Sequence, residues 1–427
     1  MVTLYDVARQ AGVSIATVSR VLHGQESVRE TTSARVRAAI EELGYVPDGA
    51  AQSLARNRKD VIGLVCVEHT GLNPNQYDIE SMSLLFYDEV MRGAEALIRD
   101  RHWSLLITYL REDELLSGYR PDDQQPGAPR GTLAPQALRE DREEEPVLPR
   151  LLTLSGKVDG LLIGEGVVPT AALARLARRL PVVVVAGDPA LRGVDVVAAD
   201  NWSGAHALVS HLVVEHGRRR LFHVDGPETA PDAKTRRLAT QAVIDAHPGA
   251  KLVGACSGRF SVRSGEAAAE QMLAEFGGPD GDLPDAIICS NDQMAIGVLR
   301  TLTKHSIRVP DDIALIGFDD IYPATLCDPP LTTVNQPIRT IGERSCERLI
   351  ERIAHPTLRP TVELLPTELV IRSSCGCPPG RVVRMPVETV TPVASHISAR
   401  QQQPVARHQP PARYPDQPIS NEPIKER

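Results

Sequence analysis

The chain is poor in aromatic residues, with only 4% Phe, Trp and Tyr, and its seven cysteines follow no framework spacing. An odd, scattered set of thiols argues against a disulfide scaffold and for reduced cysteines in a cytoplasm. No run of about 18 apolar residues occurs, so a membrane-spanning helix is not expected. The first residues, MVTLYDVARQ, carry an acid and no apolar stretch, which is unlike a secretory signal. Catalytic signatures are missing as well. There is no phosphate-cradling GxxxxGKS/T, no GxGxxG opening a helix and no zinc-binding HExxH. No Ser–His–Asp set can be argued from spacing, so an enzyme reading has no positive support. The net charge of −8 does not advertise a nucleic-acid binder.

Two further groups are expected not to bind metal. His206, His211 and His216 recur every five residues. On an α-helix successive rings would then stand about 140° apart, too far to share an ion. Cys375 and Cys377 form a Cys-x-Cys pair. Two thiolates are half a zinc site, and the sequence shows no second close pair to complete it.

What is present begins at Thr3–Leu22, TLYDVARQAGVSIATVSRVL. Thr3 and Asp6 have capping-box spacing. Leu4, Val7, Ala8 and Ala11 make one apolar helix face, and Gly12 suits a left-handed helix end. Ser14 can cap a second helix with Val18, Val21 and Leu22 inward. Ile15, Ala16, Thr17, Ser19 and Arg20 are then left outward, a small, hydroxylic surface tipped with arginine that fits a DNA major groove. An ordinary helical hairpin is the alternative. A third helix opens at Thr31-Thr32, buries Val36, Ala39, Ile40 and Leu43, and stops at Gly44. Residues 1–59 hold eight Lys/Arg against six Asp/Glu. Affinity for DNA would therefore rest on placement, symmetry and helix N-termini more than on bulk charge. Asp48 to Arg56 has one large apolar residue, Leu54, and is too short to fold as a helix alone. It reads as a linker or as a segment ordered by a partner.

From Val61 the texture changes. Nine β-branched-rich runs alternate with helical stretches: 61–67, 104–110, 158–164, 181–187, 194–200, 220–226, 251–257, 286–292 and 313–320. Near-continuous apolar strands between helices imply parallel sheets covered on both faces, and two lobes fit about 310 residues better than one. Ligands of such sheets bind beyond the strands' carboxyl ends, where Asp200, Asn291-Asp292 and Asp319-Asp320 fall. Residues 111–150 are rich in charge, Pro and Gly and read as a disordered insertion. Residues 376–427 are rich in Pro, Gln and Arg and read as a disordered tail. That tail has no leucine heptads, so no coiled-coil tetramer is expected.

The sequence resembles the LacI/GalR family of bacterial transcription repressors. The resemblance is carried by TLYDVARQAGVSIATVSRVLHG (3–24), VRETTSARVRAAIEELGYVPDGAAQSLAR (28–56), SNDQMAIGVL (290–299), VPDDIALIGFDD (309–320) and PPLTTVNQP (329–337). It implies an all-α helix-turn-helix headpiece (1–47), a hinge helix (48–59) and an α/β core (60–375). The core would be two doubly wound parallel-sheet lobes of the periplasmic-binding-protein type. On this likeness Ser14, Ile15, Ala16, Thr17, Ser19 and Arg20 contact DNA, together with Ala51 and Leu54 of a hinge that folds on the operator. Leu54 would be the wedge that enters the minor groove. Arg237, Phe260, Asn291 and Asp319, with Gln336, would grip a small effector, polyhydroxylated sugars being one class such residues suit. A purine or another small molecule stays open. Arg237 sits in RLATQ where the family has RLAGF. Asn291 and Asp319 have a simpler alternative role, as caps of the helices that follow. The implied protein is a cytoplasmic homodimer on a pseudo-palindromic operator, with no cofactor, no metal and no membrane. A solute-binding receptor with the same core and an α/β enzyme are the competing classes.

Overall fold

The computed structural model describes residues 2–22, 28–45, 58–68, 85–99, 101, 103–111, 147–164, 167–228, 230–277, 282–380 and 382–391. The proposed hinge, with Ala51 and Leu54, lies outside these residues, as do 112–146 of the insertion and all of the tail beyond Thr391.

The headpiece comprises α1 (Leu4–Ala11), α2 (Ile15–Leu22) and α3 (Glu30–Leu43). Thr3 caps α1 in a complete capping box: the Asp6 amide donates to Thr3 Oγ1, and the Thr3 amide donates to Asp6 Oδ2 at 3.0 Å. The Thr3 hydroxyl and amide hold the Asp6 carboxyl below the usual carboxylate range. Gly12 ends the helix at φ +62°, and Gly44 ends α3 at φ +60°. Val7, Ala8, Ala11, Val18, Val36 and Ala39 are buried between the three helices. Burying side chains of this kind is the main source of a small domain's stability, about 1.5–3 kcal/mol for a valine.

The nine strands expected from apolar runs all form. The first sheet has the order β11-β5-β4-β3-β1-β2 and is parallel throughout. Its members are β1 (Val61–Glu68), β2 (Ser104–Arg111), β3 (Gly160–Gly164), β4 (Val182–Val185), β5 (Asp195–Ala199) and β11 (Val362–Leu365). The second sheet, also parallel, has the order β7-β6-β8-β9. It contains β6 (Arg220–Asp225), β7 (Lys251–Ser257), β8 (Ala286–Cys289) and β9 (Ala314–Ile316). Central strands β3, β4 and β8 are buried along their whole length, as sheets covered on both faces require.

Four strands were not legible as apolar runs. Beside β11, they are β10 (Thr333–Asn335), β12 (Glu368–Ile371) and β13 (Val383–Pro386), which make a small antiparallel sheet in the order β10-β12-β13. The chain therefore stays in the fold beyond residue 376, and the expectation of a disordered tail starting there is corrected. Strand β13 pairs along β12, and the Val390 amide donates to Ser203 Oγ at 2.9 Å.

Helices α4 (Leu85–Arg99), α5 (Val147–Ser155) and α6 (Thr170–Ala177) belong to the first sheet, and α7 (Asn201–Ser210) leads from it to the second. Helices α8 (Pro231–Ala246), α9 (Val262–Phe276) and α10 (Asp292–Lys304) pack with the second sheet, and the short α11 (Tyr322–Thr325) precedes β10. Helix α12 (Ile338–Ala354) then returns to cover β3, β4 and β5. It is fastened there by Arg352, whose guanidinium bonds Asp195 Oδ2 at 2.7 and 2.8 Å.

Two helix pairs approach at backbone distance. A Cβ on Gly342 of α12 would meet the Val90 carbonyl of α4, and one on Gly93 of α4 would meet the Arg339 carbonyl of α12. Gly265 of α9 and Gly297 of α10 interlock in the same way, against Met294 and Val262. Backbone cannot retreat as a flexible side chain can, so an added methyl overpacks the crossing. Gly342→Ala is expected to cost about 1–3 kcal/mol and lower the thermal midpoint; an unchanged midpoint would show that the crossing relaxes.

Candidate functional site

Helix α2 carries the candidate DNA-reading face. Ser14 precedes it and accepts the Thr17 amide at 3.2 Å, with its hydroxyl 2.9 Å from that of Thr17. Val18 is fully buried, which fixes the helix's rotation. Ser14, Ala16 and Arg20 are exposed, while Thr17 and Ser19 are half-buried at the edges of that face. Ile15 is also half-buried and packs against the headpiece core. It is therefore a less outward residue than its sequence position implies, because the first turn of α2 lies against the other two helices. Tyr5 of α1 carries no motif signal in the sequence. It stands off the apolar stripe at 72% exposure, where an aromatic hydroxyl can meet a phosphate.

The candidate effector residues gather where β6, β8 and β9 end. Asn291 follows β8 and caps α10, accepting the Met294 amide at 3.0 Å. Its Nδ2 donates to the Phe260 carbonyl at 3.2 Å, so the capping role holds and also ties Asn291 to the aromatic. Phe260 has φ +57° and its ring packs against Gly226. Asp319 follows β9. It caps no helix; instead it accepts from Gln336 Nε2 at 2.8 Å. The turn is strained, with φ +118° at Asp319 and +58° at Asp320. Side chains holding such backbone cluster at ligand clamps.

Arg237 and its neighbour divide their roles. Arg237 is 44% exposed and lies 3.6 Å from Asp225 at the end of β6. Arg236 is buried. It donates to Asn201 Oδ1 at 2.9 Å and to the Ser290 carbonyl at 2.5 Å, and its guanidinium lies over the Phe318 ring at 3.8 Å. Asp232 at 3.2 Å and Asp319 at 3.6 Å balance its charge. Arg236 is not among the residues the family likeness marks, yet the spacing Ala233, Arg236, Thr240, Val243 places it on the buried stripe of α8. Asp320, the next residue, is held by Arg372 at 2.5 Å and by Arg384 of β13 at 2.7 Å.

At the far end of α7 from Asn201, the structure corrects the geometry expected of the histidines. Helix α7 passes at Ser210 into a π turn, His211–Glu215. In a π turn hydrogen bonds run from residue i to i+5. His216 is thereby carried back over His211 instead of around the helix: their Nε2 atoms are 3.1 Å apart and their rings are edge to face. His206 stays away from them, near Ser210. The second pair that Cys375 and Cys377 lacked in the sequence is this one.

Burial pushes the Asp319 carboxyl up to about 7, with Arg236 opposing the rise and Asp232 adding to it. Burial likewise raises the neighbouring Asp292 carboxyl. The sign follows from proton linkage. Between about 4 and about 7 the folded chain holds a proton on Asp319 that the unfolded chain has lost. Its contribution is complete at the acid end and disappears as pH rises through about 7. Across that window the wild type is expected to lose stability relative to Asp319→Asn, measured as thermal midpoint against pH. Parallel curves would mean Asp319 titrates normally.

Residues 3–48 match the model of the bacterial regulatory proteins of the lacI family, and residues 209–375 match that of the periplasmic binding protein-like domain. The chain is 31% identical over 363 residues to the ribose operon repressor of Escherichia coli (strain K12), spanning 84% of this chain and 95% of that one. Among solved structures it is similar to the lac repressor dimer bound to operator and the anti-inducer ONPF. That likeness has a TM-score of 0.70 and 25% identity, over 88% of this chain and 99% of that one. It is also similar to a complex of the transcriptional regulator CelR with cellobiose, with a TM-score of 0.56 and 27% identity, over 88% and 100% of the two chains. A helix-turn-helix headpiece before two parallel-sheet lobes, matched over most of its length, places this chain in the LacI family of DNA-binding transcriptional regulators.

Proposed function

We propose that this chain is a cytoplasmic repressor that binds a pseudo-palindromic operator as a homodimer and is controlled by a small polyhydroxylated ligand. The observation that carries the reading is the pairing, in one chain, of a DNA-reading helix with a polar cluster at the strand ends. Ser14, Ala16 and Arg20 would face the groove, with Thr17 and Ser19 on its walls. Arg20 can reach a guanine, and Ala16 a thymine methyl. Ile15 would contact DNA only through the part that the headpiece core leaves exposed. In the hinge, Leu54 would wedge into the minor groove with Ala51 beside it.

The ligand would lie against Phe260, with Arg237 donating to its hydroxyls and Asp319 accepting from them. Asn291 and Gln336 would hold those two elements in place. A flat ring plus bidentate donors and acceptors suits a sugar. The relatives named for ribose and cellobiose support the same class. Closure of the lobes would shift the spacing of the hinges, and hinge folding would couple ligand to operator. Linkage then requires that operator change ligand affinity by the same factor. No residue of the cluster is arranged as an activated nucleophile, which favours binding without turnover. No helix among the described residues is long and apolar enough to cross a membrane.

One paired experiment separates the two sites. Leu54→Ala is expected to raise the operator Kd by about tenfold to a hundredfold, the worth of one buried leucine, and to leave sugar binding unchanged. Arg237→Ala is expected to leave operator binding unchanged while weakening the response to a panel of pentoses and hexoses by about tenfold or more. Fluorescence anisotropy on an operator duplex reads both. Equal operator affinity of Leu54→Ala would remove the wedge, and a normal response of Arg237→Ala would remove that arginine from the pocket.

A further inference from the structure

We propose that His211, His216, Cys375 and Cys377 form a tetrahedral zinc site that clips the segment after β12 onto the end of α7. The four ligand atoms lie within 4.8 Å of one another. His211 Nε2 is 3.1 Å from His216 Nε2 and 3.6 Å from the Sγ of each cysteine, and Cys377 Sγ is 3.4 Å from His216 Nε2. Zinc bonds of about 2.0–2.1 Å to nitrogen and 2.3 Å to sulfur, at tetrahedral angles, set about 3.3 Å between nitrogens and about 3.6 Å between nitrogen and sulfur. These four separations match that shell to within a few tenths of an ångström, and the remaining two, from Cys375 Sγ to Cys377 Sγ and to His216 Nε2, lie within 4.8 Å, so Cys375 closes in when the ion binds.

Three independent elements build the site. The π turn brings the histidines together, in the His-x4-His spacing common to structural zinc sites. Gly376, at φ +112°, lets two cysteines one residue apart turn toward the same point. A Cβ there would stand 3.2 Å from His216 Nδ1, so the turn lies directly against the ring. Thr332 donates to Cys375 Sγ at 3.2 Å, the outer-sphere bond that a thiolate ligand attracts. Arg218 lies beside Gly376 and adds positive charge near the two sulfurs. Cys375 is buried, whereas Cys377 and both histidines are half-buried, which leaves a route for the ion.

The ligand set selects the metal. Two sulfurs and two imidazole nitrogens in a tetrahedron favour zinc over the hard cations magnesium and calcium. Four protein ligands close the coordination shell, which makes the role structural. The clip acts just before β13, whose Arg384 holds Asp320 at the rim of the effector cluster. Zinc would therefore fix the start of the segment that supports that turn.

The test uses the full chain, purified under reducing conditions without chelator. Metal analysis is expected to find one zinc per chain, lost on dialysis against a chelator and restored by zinc chloride. Cobalt(II) added to the stripped protein should give the visible bands of a tetrahedral ion and a near-ultraviolet sulfur-to-cobalt band. Cys377→Ser and His216→Ala should each lose at least about tenfold in zinc affinity, since even outer-shell partners cost that much. Cys327→Ser, at a thiol elsewhere in the second lobe, should bind as the wild type does. Wild-type protein that takes up neither zinc nor cobalt, whether its thiols are free or joined as a Cys375–Cys377 disulfide, overturns the proposal. So does a cobalt complex lacking the sulfur band.

Discussion

A buried guanidinium sets the terms for the second lobe. Arg236 is removed from water, and a charge so placed is tolerated only when its donors are satisfied and its charge is balanced. The partners that satisfy it come from separate parts of the chain. Asn201 opens the helix that leaves the first sheet, Ser290 ends β8, Asp319 ends β9, and Asp232 lies one turn back on α8. Placing Arg236 therefore places the rim on which the candidate effector residues sit. The cost of removing one partner would be an unpaired charge in the interior, so the cluster holds a single arrangement. Its neighbour Arg237 is spared this duty and is left half-exposed, able to meet a ligand.

A chain of ion pairs extends that rim outward. Asp319 leads directly to Asp320, which is clamped by Arg372 and Arg384. Arg384 belongs to β13, in a stretch whose composition suggests only a tail. Three passes of the chain between the sheets thus converge on one turn with positive φ at two successive aspartates. Strain of this type persists only where surrounding bonds over-determine it. The proposed metal clip at Cys375 and Cys377 lies on the same segment and would be its anchor.

Local signals were legible in the sequence wherever local chemistry decides the outcome. The Thr3–Asp6 capping box, the left-handed stops at Gly12 and Gly44, and all nine apolar strands follow from residues a few positions apart. Asn291 was readable too, both as a cap and as a strand-end polar group. Features decided by distant partners were not. Strands β10, β12 and β13 are three or four residues long and exist by pairing with one another. The glycine crossings of α4 with α12 depend on helices more than 200 positions apart along the chain. Ile15 reads as outward from helix phase, yet the other headpiece helices partly cover it. The histidine pair is hidden because α-helical phase ends at Ser210 and a π turn over His211–Glu215 changes the period. In each case the sequence carried the residues, and the tertiary partner supplied the meaning.

Selection of bound fragments from the organism's own genome tests most directly whether this chain is a ligand-controlled reader of symmetric DNA. Purified full-length protein is incubated with sheared genomic DNA at moderate salt, and the retained fragments are sequenced. A ligand-controlled dimer is expected to enrich fragments that share two inverted half-sites around a common centre and to release them with one class of small hydroxylated molecule. Retention with no preference over bulk DNA, or enrichment of sites without two-fold symmetry, would contradict it.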